Sequence, residues 1–241
     1  MMSQTASRAA APGLALAVAG VGVLVALRSK AAARAASSRT LATKTSGDGL
    51  VVDAKGVRHA PSSLDHIREA TTNALELKIL SELVNVAFYE GDGFIWSQGQ
   101  RFRVGTDGAD VRKMVEGTES TVLVYEDPVN KQLQGCVRID WDQKKDVGHF
   151  AMVSVPLMYG GRGIGSLLVQ AAQLHLKKQL SPAGEIVMDV ISIRDDLLGF
   201  YSRRGFKRIG PAPLPDELKE RACPEFRHVC FELMKKKVAD V

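Results

Sequence analysis

Cysteine is scarce in this chain. Cys136, Cys223 and Cys230 make an odd number with no C-x-x-C spacing, which argues against a disulfide framework and a cysteine-rich zinc site and favours a reducing compartment. Acid is missing from one end: residues 1–47 hold Arg8, Arg28, Lys30, Arg34, Arg39 and Lys44 and no Asp or Glu. That segment carries +6 against a whole-chain net of +5, leaving 26 basic and 27 acidic residues, a net of −1, in the remainder. The basic balance is therefore local, and the folded part offers no charge argument for binding nucleic acid.

A lysine is also missing where one class of nucleotide enzyme requires it. From Met158 to Gln170 the chain reads Met-Tyr-Gly-Gly-Arg-Gly-Ile-Gly-Ser-Leu-Leu-Val-Gln, four glycines in a turn between an apolar strand and an amphipathic helix. Residues without Cβ let a turn present several backbone N–H groups, and a helix N-terminus adds its positive dipole end, so the stretch is an anion cradle. Gly165 is followed directly by Ser166, and no lysine is placed to reach a triphosphate. The third glycine of G-x-G-x-x-G falls one place early, and no acidic residue ends the next strand to meet a ribose, so a dinucleotide site is disfavoured too.

At 241 residues the length suits one domain and an appendage. We divide the chain into residues 1–61, a targeting or membrane-anchor segment plus linker, and residues 62–241, the folded domain. Residues 9–27 form an uncharged run of 19, rich in Ala, Gly and Val, long enough to span a bilayer as a helix. With the basic, acid-free residues behind it, it has the look of an organellar presequence, mitochondrial ahead of plastid. The alternative is a single-pass anchor, with possible membrane association through residues 9–27 and the domain facing cytosol or matrix.

Along the folded part, hydrophobic periodicity and turn signals predict a short strand at Ile67–Ala70 and a helix opened by a capping box at Asn73 and Glu76, with a stripe of Leu75, Ile79, Leu80, Leu83, Val84, Ala87 and Phe88. A loop carrying Glu90, Asp92 and Trp96 follows, and then a short helix near 110–116. Strands are expected at 121–125, 133–141, 147–155 and 185–193, with the glycine-capped helix to Leu180 after the third. A short helix at 195–204 ends at Gly205, and last strands fall at 206–209 and 226–234. Interleaved strands and helices imply an α/β sandwich with a mixed sheet.

Two motifs together resemble the GCN5-related N-acetyltransferase (GNAT) superfamily. Gly160-Gly161-Arg162-Gly163-Ile164-Gly165 is similar to its acetyl-CoA motif of Arg or Gln, two residues, Gly, one residue, Gly or Ala, with Gly160 standing where Arg or Gln is usual. Phe200-Tyr201-Ser202-Arg203-Arg204-Gly205-Phe206 resembles its Phe/Leu-Tyr-x-x-x-Gly-Phe, with Arg194 where the family often has Asn. The resemblance covers residues 67–234 and implies a three-layer fold whose central mixed, mostly antiparallel sheet splays at an acetyl-CoA site. It implies a direct attack of an amine on acetyl-CoA in a ternary complex, with no metal. A non-catalytic CoA-binding module of an organelle or membrane is the alternative.

Under that resemblance the N–H groups from Gly161 to Ser166, with Arg162 as a supporting charge, hold the pyrophosphate, and Ile164 opens the helix. A backbone N–H at Val153 or nearby, with Val155 on the same strand, meets the thioester carbonyl. Tyr201 is the general acid. His149 is the leading base, because period-2 alternation groups it with Ala151, Val153 and Val155 and imidazole titrates near neutrality. The same count back along this strand reaches the catalytic Glu of histone acetyltransferases and a functional His of serotonin acetyltransferase. Glu126 and Asp189 are the other base candidates. Glu90, Asp92 and Trp96 suit a positively charged acceptor, a small amine or a lysine or N-terminal amine of a peptide.

Overall fold

Asn73 starts the first long helix. Its side-chain oxygen accepts from the N–H groups of Leu75 at 2.9 Å and Glu76 at 3.2 Å, two donors that a helix start otherwise leaves unpaired. Glu76 does not complete a reciprocal capping box. Its carboxylate takes the Thr71 N–H at 2.7 Å and pairs with Arg68, which also meets Glu126. In the computed structural model, which describes residues 62–97 and 103–241 and three short strands before them, this helix is α1 (Ala74–Asp92). Its buried stripe begins at Leu77 and continues through Leu80, Leu83, Val84, Ala87 and Phe88. Leu75 and Ile79, expected in that stripe, are 66% and 40% exposed.

The stretch read as a linker contains an antiparallel three-stranded sheet of β1 (Lys44–Thr45), β2 (Val51–Val52) and β3 (Arg58–His59). Residues 9–27 lie outside the described residues, among which no helix is long and apolar enough to cross a membrane.

The main sheet holds β4 (Ile67–Glu69), β5 (Ser120–Glu126), β6 (Leu133–Asp142), β7 (Val147–Ser154), β8 (Glu185–Ile191), β9 (Lys207–Ala212) and β10 (Phe231–Lys237), in the order β4-β5-β6-β7-β8-β10-β9. Every neighbouring pair is antiparallel except β7 and β8. That one parallel pair is joined by a crossover through α3 (Ile164–Gln179), as parallel neighbours require. After β8 come α4 (Asp195–Ser202) and, inside the connection between β9 and β10, α5 (Asp216–Arg221). The last strand starts at Phe231, not at 226, because Pro224 opens a 3-10 turn that takes up Phe226.

One apolar layer lies between the sheet and α3 with α4, built on Val137, Ile139, Phe150, Leu168, Met188 and Tyr201. A second lies under α1 and α2 (Ala109–Val115), built on Leu77, Val84, Val122, Cys136 and Met152. The fold is therefore a mixed, mostly antiparallel sheet flanked by helices on both faces, the arrangement expected from the sequence.

Candidate active site

β7 and β8 pair only from Val147 with Glu185 to His149 with Val187. Beyond His149 the two strands part, and the β8-facing edge of Phe150–Ser154 has no strand partner among the described residues. A bulge adds to the divergence. The register between β6 and β7 steps from Arg138 opposite Ala151 to Cys136 opposite Ser154, so β7 gains a residue, and Met152 takes φ of 52°. Such a backbone is uncommon for a residue bearing Cβ, and this kind of strain concentrates at working sites.

The bulge also breaks the expected alternation. Phe150, Val153 and Val155 face the layer beneath α3 and α4, while Met152 faces the layer beneath α1. His149 lies opposite Phe150, so it does not share a face with Val153 and Val155. Both valines are buried core residues, 0% and 3% exposed.

β7 leads into a 3-10 turn, Leu157–Tyr159, and then the glycine turn. Gly161 and Gly163 have φ of 77° and 81°, and a Cβ at either would touch nothing within 4 Å. Backbone conformation, not crowding, requires glycine there, and the space above the turn is open. Gly160 has φ of −64°, which any residue adopts. Among the described residues no acceptor takes the N–H groups of Gly161, Gly163, Ile164 and Gly165, whereas the Ser166 N–H bonds the Gly163 carbonyl at 2.9 Å. Ser166 thus contributes its side chain rather than its N–H, and the cradle is one donor narrower than the sequence suggests.

The guanidinium groups are arranged differently from expectation. Arg162 turns toward the β5–β6 hairpin, donating to Gln134 at 2.8 Å and lying 3.5 Å from the buried carboxylate of Asp127. It ties the hairpin to the glycine turn. The charge at the head of α3 comes instead from Arg204, whose Nη2 donates to the Ser166 hydroxyl while Nη1 donates to the Phe200 carbonyl at 2.8 Å. Its guanidinium also stacks 3.4 Å from the centre of the Phe200 ring, which fixes its direction. Arg204 lies three residues past Tyr201 inside the second motif, a position the motif leaves unspecified.

Tyr201 is fully buried, its ring packed among Phe150, Phe200 and Phe206. Its hydroxyl has no hydrogen-bond partner among the described residues. Burial pushes its pKa well above the usual phenol range, with Arg204 and Arg194 opposing, so it stays protonated at neutral pH. On the other face of the sheet His149 occupies the last paired position before the strands part. Its Nε2 lies 3.5 Å from Asp189 on β8, without a hydrogen bond. Two of the base candidates are therefore neighbours. Glu126 is distant from them in the sheet and is engaged by Arg68 and Lys131.

The three acceptor candidates have other partners. Glu90 accepts the Leu157 N–H at 2.6 Å, fastening α1 to the turn that follows β7. Asp92 belongs to the last turn of α1 rather than a loop. It is 1% exposed and bound to Arg194, which also meets Asp196 at 2.9 Å. Trp96 is 1% exposed and stacks on Phe88 at 5.9 Å.

No curated protein sequence matches the chain. A family model described as an acetyltransferase (GNAT) domain matches residues 118–208. Solved structures of the same architecture include a ribosomal-protein-alanine N-acetyltransferase from Brucella melitensis, 17% identical, covering 71% of this chain and 98% of its own with a TM-score of 0.54. Another is yncA from Salmonella typhimurium with acetyl-CoA, 17% identical over 71% and 92% with a TM-score of 0.51. A spermidine N-acetyltransferase variant from Vibrio cholerae is 15% identical over 73% and 95% with a TM-score of 0.53. At these identities the likeness is one of fold. The splayed sheet with its glycine-capped helix is the GNAT architecture. The family match runs from just before β5 to the first residues of β9.

Proposed function

We propose that this protein is an acetyl-CoA-dependent N-acetyltransferase working by direct attack in a ternary complex. The observation that carries the reading is the Tyr201 hydroxyl, buried without a partner among the described residues, on a ring packed against Phe150, the first residue past the paired stretch of β7 and β8. A buried polar group left unpaired costs about 1–3 kcal/mol, and a ligand sulfur entering the gap would satisfy it. The open donors of Gly161, Gly163, Ile164 and Gly165 would hold the pyrophosphate, with Arg204 adding charge. His149 and Tyr201 lie on opposite faces of the sheet at the same gap, which suits an amine approaching from one side and a thiol leaving on the other. The amine nitrogen attacks the thioester carbonyl carbon and gives its proton to His149, assisted by Asp189. The carbon–sulfur bond then breaks as Tyr201 protonates the thiolate.

Acetyl-CoA at about 100 times its Kd should stabilise the chain by about 2.7 kcal/mol, read as a thermal shift, and a suitable amine should release free thiol. An unmoved melting curve at saturating acetyl-CoA would sink the proposal. A shift without thiol release from any amine would leave the non-catalytic CoA-binding module. Arg204→Ala should weaken acetyl-CoA binding by about 10-fold in calorimetric titration, the size of one charge-assisted hydrogen bond, with kcat nearly preserved. An unchanged Kd would remove Arg204 from the cradle.

Organellar placement of the domain, mitochondrial ahead of plastid, or anchoring through residues 9–27, is proposed from residues 1–47 alone. The mass of the mature N-terminus distinguishes cleavage from anchoring.

A further inference from the structure

If the reading above holds, the acceptor reaches the face of the sheet that carries His149 and Asp189. That face is walled by the end of α1 with the chain after it, by β6 and β7, and by the connection between β9 and β10. The walls are fastened to one another. Ser97 donates twice to the Arg221 carbonyl at 3.0 Å, and the Cys223 N–H bonds the Ile95 carbonyl at 2.8 Å. Asn85 on α1 receives the N–H groups of Arg103 at 2.7 Å and Val104 at 3.0 Å, and donates to the Val104 carbonyl at 2.9 Å. Arg103 is therefore held in a fixed backbone setting between α1 and the sheet.

Its side chain has no matching arrangement. Nε and Nη2 of Arg103 are shut off from solvent and have no hydrogen-bond partner among the described residues. The charged groups around it are Arg221, Arg138 and Asp92. Arg138 is bound to Asp140 by two hydrogen bonds of 2.9 and 2.8 Å, and Asp92 is bound to Arg194. The positive groups outnumber the negative there, and Asp92, whose Oδ2 is itself buried without a hydrogen-bond partner among the described residues, makes no hydrogen bond to Nε or Nη2 of Arg103. Burial, followed by Arg221 and Arg138, lowers its pKa to about 10. A guanidinium keeps its charge at neutral pH and presents donors in a planar fork that matches a carboxylate. Meanwhile Glu90 holds the Leu157 N–H, Asp92 holds Arg194 through Oδ1, and Trp96 stacks on Phe88.

We propose that the acceptor is a small amine that also bears a carboxylate, such as a free amino acid, and that Arg103 receives that carboxylate while the amine faces His149. Arg138 and Arg221 contribute positive field, and Asp140 keeps Arg138 in place. The expected acceptor charge is thus the reverse of the one the sequence suggests.

The test uses the full chain with CoA bound and has two readouts. In the first, a panel of amino acids, each beside its carboxamide and its decarboxylated amine, is assayed for thiol release from acetyl-CoA. We expect kcat/KM for at least one acid to exceed that of its carboxamide by about 10-fold or more. In the second, N-acetyl amino acids and their amides are titrated calorimetrically into the protein–CoA complex, with the acids binding more tightly by a similar factor. Arg103→Gln should erase both preferences through KM and Kd, leave CoA affinity unchanged, and melt at the same or a higher temperature than the parent without ligand. The proposal is overturned if amides and simple amines bind or react as well as acids, if the preference survives Arg103→Gln, or if an acidic peptide alone is accepted. A marked loss of melting temperature in Arg103→Gln also overturns it, by revealing a structural partner for the guanidinium. Selective binding of the acids without turnover would support the carboxylate site and count against the catalytic reading, so the two failures are separable.

Discussion

Replacing Tyr201 with Phe should lower kcat by about 10²-fold or more, the usual contribution of a positioned acid, with little change in acetyl-CoA affinity. The same variant without ligand should melt at the parental temperature or above it. The two expectations come from one observation, a fully buried hydroxyl with no partner among the described residues. In the free protein that group is a cost, so its deletion relieves the fold. In the proposed reaction it is a protonated donor, its ring held by Phe150, Phe200 and Phe206. A purely structural tyrosine would show the reverse pattern, a lower melting temperature and an intact rate. An unchanged kcat would take Tyr201 out of the mechanism.

Removing Asp92 should have the largest effect on stability. Asp92→Ala leaves Arg194, whose side chain is 8% exposed, facing a pocket that has lost its fully buried counter-ion. Breaking a buried pair in this way costs about 3–5 kcal/mol. The lower end is expected because Asp196 remains at 2.9 Å. Urea unfolding at neutral pH measures it, and a loss below about 1 kcal/mol would show that the pair is a surface-type interaction.

The pH dependence has a definite sign. Burial raises the Asp92 pKa from 3.8 to about 6, against the opposing pull of Arg194. The folded state holds this proton more tightly than the unfolded chain, so the associated stability is fully present below about 4 and is lost as pH rises through about 6. The unfolding free energy of the parent minus that of Asp92→Asn should therefore fall across that window. A difference that stayed flat or grew would contradict the assignment.

Much of the framework was legible because local rules governed it. Asn73 capped its helix as its side chain predicts, with two backbone donors in reach. Gly161 and Gly163 took the positive φ that a glycine turn requires. The strands from Ser120 to Ser154 fell within a residue or so of their hydrophobic pattern. Illegibility began where a distant partner decided a side chain's fate. Arg162, adjacent to two glycines, was drawn away by Gln134 and Asp127 from another hairpin. Arg204 took the position at the head of α3 through Ser166, 38 residues earlier in the chain. Glu90 and Asp92 read as a polar loop until Leu157 and Arg194, 67 and 102 residues away, claimed them.

The alternation along β7 failed for a different reason. A period of two assumes regular pleating, and the additional residue at Met152 moves every later side chain to the opposite face. Period counting therefore grouped His149 with Val153 and Val155, although the bulge separates them.

The sequence by itself determined the order of elements from β4 to β10 and the glycine turn. Each depends on residues within a few positions of one another, where backbone conformation and hydrophobic period act directly. Only the tertiary structure decided which charges are satisfied and which are left open. It paired Asp92 with Arg194, set His149 beside Asp189, and left the Tyr201 hydroxyl and Nε and Nη2 of Arg103 without hydrogen-bond partners among the described residues. A hydrogen bond is settled by separation in space and by exclusion of water, and neither can be read from distance along the chain.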